Sequence, residues 1–100
     1  MDYEKTLGAL LKLRNTYEPL LDGEVVVEID GWAKTERLKL RVADGIPTVT
    51  PTAEEPAVKF SHLEAMRAFF IENSPEHSAF TPVVRTWFPL SLYIFHTDNV

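Results

Sequence analysis

An α+β fold, with an antiparallel sheet of about five strands packed against helices, follows from three features of the chain. Apolar residues recur at three- and four-residue steps from about Asp2 to Asn15. Period-two alternation takes over between Glu24 and Thr50, and helical spacing returns after Ser61. A helical period, then a strand period, then a helical period again segregates helices from a meander of strands, which is the pattern of α+β architecture.

In the first helix Leu7, Leu10 and Leu11, joined by Tyr3 and Tyr17, form an apolar stripe opposite Glu4, Lys5, Lys12 and Arg14. Asp2 is the expected cap and Pro19 the expected stop. Asp22-Gly23 turns the chain into Glu24–Asp30, where Val25, Val27 and Ile29 alternate with mostly acidic residues. Arg37–Val42 alternates cationic and apolar residues without a break, the clearest strand in the chain. Asp44-Gly45 is the dipeptide of a two-residue type I′ hairpin, after which Ile46–Thr50 returns beside it, with Pro47 marking an edge or bulge. Glu28 and Asp30 are placed to face Arg37, Lys39 and Arg41 across the solvated side, each pair contributing about 0.2–1 kcal/mol. A proline-bracketed loop, Pro51–Pro56, precedes a short strand through Val58 and Phe60. Ser61 and Glu64 then form a capping box for a helix expected to reach about Glu72, with Leu63, Met66, Phe69 and Phe70 on its apolar face. Asn73-Ser74-Pro75 breaks it, and Phe80, Val83, Val84, Trp87 and Phe88 suggest a second helix over Ala79–Phe88.

The 100 residues make one domain, 1–100, able to bury roughly two thirds of its unfolded surface. A net charge of −5 with no basic stripe argues against nucleic acid as a partner. The absence of cysteine excludes disulfides, thiolate catalysis and Cys-type zinc sites, and fits a cytoplasmic location. The N-terminus lacks a signal pattern, and no apolar run approaches the roughly 20 residues of a membrane span.

The stretch Trp87–Val100 is unusual for a chain end, because Trp87, Phe88, Leu90, Leu92, Tyr93, Ile94 and Phe95 would each gain roughly 1.5–3 kcal/mol on burial. Either it is a strand of this chain's own sheet, or it docks on another domain or chain and carries the Val100 carboxylate there.

The order of these elements, with Leu40-Arg41-Val42-Ala43-Asp44-Gly45, the Thr-x-x-x-Pro-x-Val spacing from Thr52 to Val58 and the ending Trp87-Phe88-Pro89-Leu90 through Asp98-Asn99-Val100, resembles the sterol-carrier-protein-like domain. More narrowly, it is similar to the C-terminal domain of bacterial GNAT acetyltransferases of the enhanced-intracellular-survival type. The resemblance implies an accessory domain that is inactive alone and supplies packing surface to an acetyltransferase region, in cis or, if Met1 is the natural start, in trans. It further implies that the Val100 main-chain carboxylate reaches the active site, with Phe95, His96 and Asp98 lining the amine substrate's pocket. Acetyl-CoA is then the cofactor of that missing region, and this chain holds no cofactor of its own. A carboxylate with a reference pKa of about 3.3–3.7 would orient the amine or act through a water.

Two other readings stay open. A sterol-carrier-like module could hold a lipid or other apolar ligand between sheet and helices, with Met66, Phe69, Phe70 and Trp87 forming either pocket or core. An interaction protein could use its apolar end to form a homo-oligomer. His62, His77 and His96 lack metal-ligand spacing, so no metal is expected. Glu54, Glu55 and Glu72 read as solvated, and no serine sits in a nucleophile-elbow sequence.

Overall fold

Asp2 opens helix α1 (Tyr3–Tyr17) by accepting the Lys5 N–H at 3.2 Å. A computed structural model describes residues 2–31 and 33–90. The helix ends because Pro19 disfavours helical backbone at the residue before it, and Glu18 is extended at φ −152°, ψ 121°. Arg14 covers the open end by donating to the Glu18 carbonyl at 2.7 Å. Tyr3, Leu7, Leu10 and Leu11 are the buried stripe.

Four strands follow: β1 (Gly23–Asp30), β2 (Thr35–Ala43), β3 (Ile46–Pro51) and β4 (Val58–Ser61), in the spatial order β3-β2-β1-β4. The first three form the expected antiparallel meander, with Glu28 opposite Arg37 and Leu40 opposite Val49. Asp44 and Gly45 both take positive φ, 54° and 74°, as a type I′ turn requires. One side of the sheet presents Val25, Val27, Ile29, Leu38, Leu40, Val42, Val58 and Phe60 to the core.

The expected antiparallel pairing throughout the sheet is corrected here, and the expectation of about five strands is not met among the described residues. Among the described residues the sheet has four strands and is mixed, because β4 pairs parallel to β1. The cause lies in residues 52–57, which carry the chain from the β3 edge across to the opposite edge. Pro51, Leu38, Val27 and Val58 lie in one row across the four strands. β4 therefore starts level with the end of β3, and the crossover spans only three strand spacings, roughly 14 Å. Six residues reach that far, so no crossover helix is needed.

This strap lies over the charged side of the sheet and is held there by it. Arg37 donates to the Glu28 carboxylate at 2.7 Å and to the carbonyls of Ala53 and Glu54 at 3.5 and 3.4 Å. Lys39 reaches Glu54 at 2.9 Å and Glu24 at 3.4 Å. The hydrogen bond from Arg37 holds the Glu28 carboxyl below the usual range, and the bonds from Lys39 and then Thr52 do the same for Glu54. The backbone N–H and then the hydroxyl of Ser61 hold Glu64 low in the capping box. A carboxyl whose pKa is lowered by folding adds stability above its unfolded value, about 4.3 for Glu, and loses it as pH falls through the folded value. The urea midpoint should therefore fall below about pH 4.3. Arg37→Met should lower it at pH 7 and flatten its acid limb. A midpoint unchanged between pH 5 and 3 would contradict this account.

Helix α2 (His62–Phe70) starts with the expected capping box, Ser61 N–H to the Glu64 carboxylate at 2.9 Å and Glu64 N–H to the Ser61 hydroxyl at 3.2 Å. It stops at Phe70, short of Glu72: Ile71 is extended, and Asn73 takes a left-handed φ of 57°. The second helix expected over Ala79–Phe88 is also corrected. Ala79 instead closes a preceding 3-10 turn (Pro75–Ala79), and the segment holds only a one-turn helix α3 (Pro82–Arg85). Pro82 has no N–H to give and forces Thr81 to ψ 159°, so a helix can only begin after it, with Thr81 as its cap.

Candidate functional site

The apolar side chains singled out as pocket or core come together beneath the sheet as core. Phe69 and Trp87 are wholly buried, Phe70 nearly so, and Met66 packs against the same cluster. Phe69 lies 5.2 Å from Phe88 and 6.0 Å from Phe60, ring centre to ring centre. Phe80 lies 5.3 Å from Phe88 and 5.8 Å from Phe60. Spacings of about 4.5–7 Å are those of rings in mutual contact, so these side chains pack on one another between sheet and helices. Trp87 satisfies its one polar atom by donating Nε1–H to the Leu21 carbonyl at 3.0 Å.

The surface clefts are lined differently. One of about 370 Å³ lies where β1 begins and β2 ends, against Asp22, Glu24 and Arg41. Another, of about 460 Å³, separates α1 from β3 at Lys5, Lys12 and Thr48. A third, of about 470 Å³, runs beside β4, with Val58, Lys59, Phe60, Glu64, Arg67 and Glu76 among its walls. Arg67 and Glu76 pair there at 3.0 Å.

One polar cluster escaped sequence reasoning. Tyr3, read as part of an apolar stripe, places its hydroxyl 2.8 Å from His62 Nδ1, while its backbone N–H donates to the Glu36 carboxylate at 3.3 Å. Glu36 occupies a position of β2 that alternation assigns to the core, and it is nearly buried there. The polar residue breaking the apolar register of β2 is the only signal the sequence carried. A carboxylate at the first turn of α1 suits the positive end of the helix dipole. Burial, and after it the Glu36 charge, push the Tyr3 phenol up from its ordinary pKa, which keeps it protonated. The phenol is only 1% exposed, so the pair joins the starts of α1 and α2 rather than meeting a substrate. Tyr3→Phe should cost about 0.5–1.5 kcal/mol in urea unfolding with an unchanged slope. No loss would mean that the bond to His62 contributes nothing.

The residues proposed from the resemblance for substrate, Phe95, His96 and Asp98, and the Val100 carboxylate lie outside the described residues. Leu90, the last described residue before them, is buried and donates its N–H to the Phe69 carbonyl at 2.8 Å.

At the helix starts Asp2, Ser61 and Thr81 each accept an N–H group of their own helix, and Glu36 adds negative charge at α1. No group of three His, Cys, Asp or Glu among the described residues is arranged to hold a metal ion, and no helix among them is long and apolar enough to cross a membrane. Fold and site define an α+β domain with an open mixed sheet, four-stranded among the described residues, over an aromatic core. In comparisons with protein-family models, curated proteins and solved structures, nothing matches the chain.

Proposed function

We propose that this chain is an accessory domain of a GNAT-type N-acetyltransferase, sterol-carrier-like in fold and inactive alone. It offers packing surface to a catalytic region that binds acetyl-CoA. Through residues 91–100 it brings the Val100 carboxylate, where the natural chain ends there, beside the amine to be acetylated, with Asp98 adding negative charge suited to a cationic substrate. The sequence motifs motivate this reading. The observation that favours it over a carrier of apolar ligands is the packing of Phe60, Phe69, Phe80, Phe88 and Trp87, which leaves the ring-lined volume occupied by side chains. A lipid carrier needs an apolar chamber of several hundred Å³ in that position.

The intact mass of the natural protein, isolated with an antibody to this domain, tests the proposal. The reading expects a product several times heavier than 11.4 kDa that carries this sequence at its C-terminus. A product of that mass alone, forming no complex with an acetyltransferase, would sink it.

A further inference from the structure

We propose that the strap over residues 52–57 is a latch on the outer face of the sheet. It lifts as a unit while the strands stay paired, and the catch is the ion pair between Glu54 and Lys39. The proposal is independent of the acetyltransferase reading. Among the described residues, the side-chain holds on the strap are polar and converge on Glu54. Its carboxylate accepts from the Lys39 ammonium at 2.9 Å and from the Thr52 hydroxyl at 3.2 Å. Its N–H donates to that hydroxyl at 3.2 Å, and its carbonyl accepts from Arg37 at 3.4 Å. The other hold, from Arg37 to the Ala53 carbonyl, is stretched to 3.5 Å. The backbone bonds of Thr52 to Arg37 and of Ala57 to Val26 prolong the β3 and β4 ladders, so they mark where the moving part ends. No strap residue belongs to the core, and Ala53, Glu54, Glu55 and Ala57 are exposed.

Lifting leaves no cation without a carboxylate. Lys39 keeps Glu24 at 3.4 Å and Arg37 keeps Glu28 at 2.7 Å when Glu54 departs. The chain also has the length to bow outward, since the steps from Pro51 to Val58 extend to about 23 Å where the crossing needs roughly 14 Å. Solvent reaches the catch: the Glu54 side chain is 56% exposed and that of Lys39 25%. Dissolved ions screen such a pair far more than a buried one. Acid acts on the same bond. The groups facing Glu54 are Lys39 and Arg37 of β2, their partners Glu24 and Glu28 of β1, and Thr52 and Glu55 of the strap, with Lys59 of β4 acting on Glu28. The bond from Lys39, then that from Thr52, holds the Glu54 carboxyl low. The latched position is therefore favoured above the ordinary Glu value of about 4.3, and loses that preference as pH falls through the latched value. Glu28, held low by Arg37, keeps that partner in both positions and does not move the latch. Lifting uncovers Arg37, Lys39 and the Val26 opposite Lys39, so the latch governs access to the open face of the sheet.

The test is cleavage of the full chain by a Glu-specific endoprotease. Within the strap the cut falls after Glu54, because Pro56 follows Glu55 and blocks the next bond. When opening and closing are fast relative to cleavage, the rate follows the lifted population. The first cut in the folded protein should come after Glu54. Its rate, divided by that of a free peptide of residues 48–60, should rise about two- to five-fold between about 0.05 and 0.5 M sodium chloride, the scale on which an exposed ion pair acts. Lys39→Met should be cut at the faster rate already at low salt and lose the salt response. A parent rate that salt leaves unchanged, or equal rates for parent and Lys39→Met at low salt, overturns the proposal. So does a cut after Glu54 that appears only together with cuts after Glu24, Glu28 and Glu36 inside the strands, since the strap would then open only with the sheet. If Lys39→Met does not fold, the salt series on the parent decides alone. NMR reads the acid response: as Glu54 protonates, the amide signals of Ala53 to Glu55 should move toward their high-salt positions while that of Leu40, at the sheet centre, stays. Strap signals that move only when that of Leu40 does overturn the proposal as well. None of these readouts involves acetyl transfer, so failure here and failure of the functional reading are separable.

Discussion

Replacing Trp87 with alanine should remove about 3–5 kcal/mol of stability, most of what a domain with a total of about 5–15 kcal/mol holds. Two effects combine. The indole is wholly buried, so its loss leaves a cavity that its neighbours only partly close. Its Nε1–H also ties the segment between α1 and β1 to the end of α3 through the Leu21 carbonyl. Gly23 shows how tightly this corner is packed, since a Cβ there would lie 3.0 Å from a methyl of Val83 and 3.5 Å from the indole ring. Trp87→Phe, which keeps part of the volume and strands the carbonyl, should fall between parent and Trp87→Ala in urea midpoint. A loss below about 1 kcal/mol for Trp87→Ala would mean that the corner is not cooperative with the core.

Phe69→Ala should be as damaging, at about 3–5 kcal/mol, and more informative. Phe69 touches Tyr3, Phe60, Phe80 and Phe88, so its removal opens a dry space at the centre of the ring cluster. Empty apolar cavities of that sort take up small aromatic solutes. Benzene or indole should therefore raise the thermal midpoint of Phe69→Ala and leave that of the parent unchanged. Stabilisation of the parent by the same solutes would show that the interior already has room for an apolar ligand, and would revive the carrier reading.

Much of the fold was legible because local signals agreed with tertiary needs. Asp2, the Ser61–Glu64 box and the Asp44-Gly45 turn do in the structure what their residue types favour, and the period-two runs of β1 and β2 face as their alternation indicates. Where the reading failed, the deciding cause was non-local. Nothing in Thr52–Ala57 says that the chain crosses the charged face to pair parallel with β1; that follows from the level at which β3 ends, a property of register. Pro82 was visible, yet apolar spacing on both sides of it suggested one helix where its missing N–H makes two short elements. The candidate site was less legible still. Met66, Phe69, Phe70 and Trp87 pack in one apolar cluster, but whether such a cluster lines a hollow or fills it depends on rings from three other segments. The Tyr3–His62 pair joins residues 59 apart, a separation at which periodicity carries no information.

The central claim, that this domain serves an acetyltransferase through its C-terminal segment, is tested most directly by acetyl transfer from acetyl-CoA to a cationic amine. The natural protein would be assayed intact and with residues 97–100 removed, and the thermal midpoints of the two forms compared. The account predicts transfer by the intact protein and a fall of about 100-fold or more in kcat for the shortened one, the scale of losing a positioned acid–base group, at an unchanged midpoint. Absence of transfer in the intact protein, or equal rates in both, would contradict it.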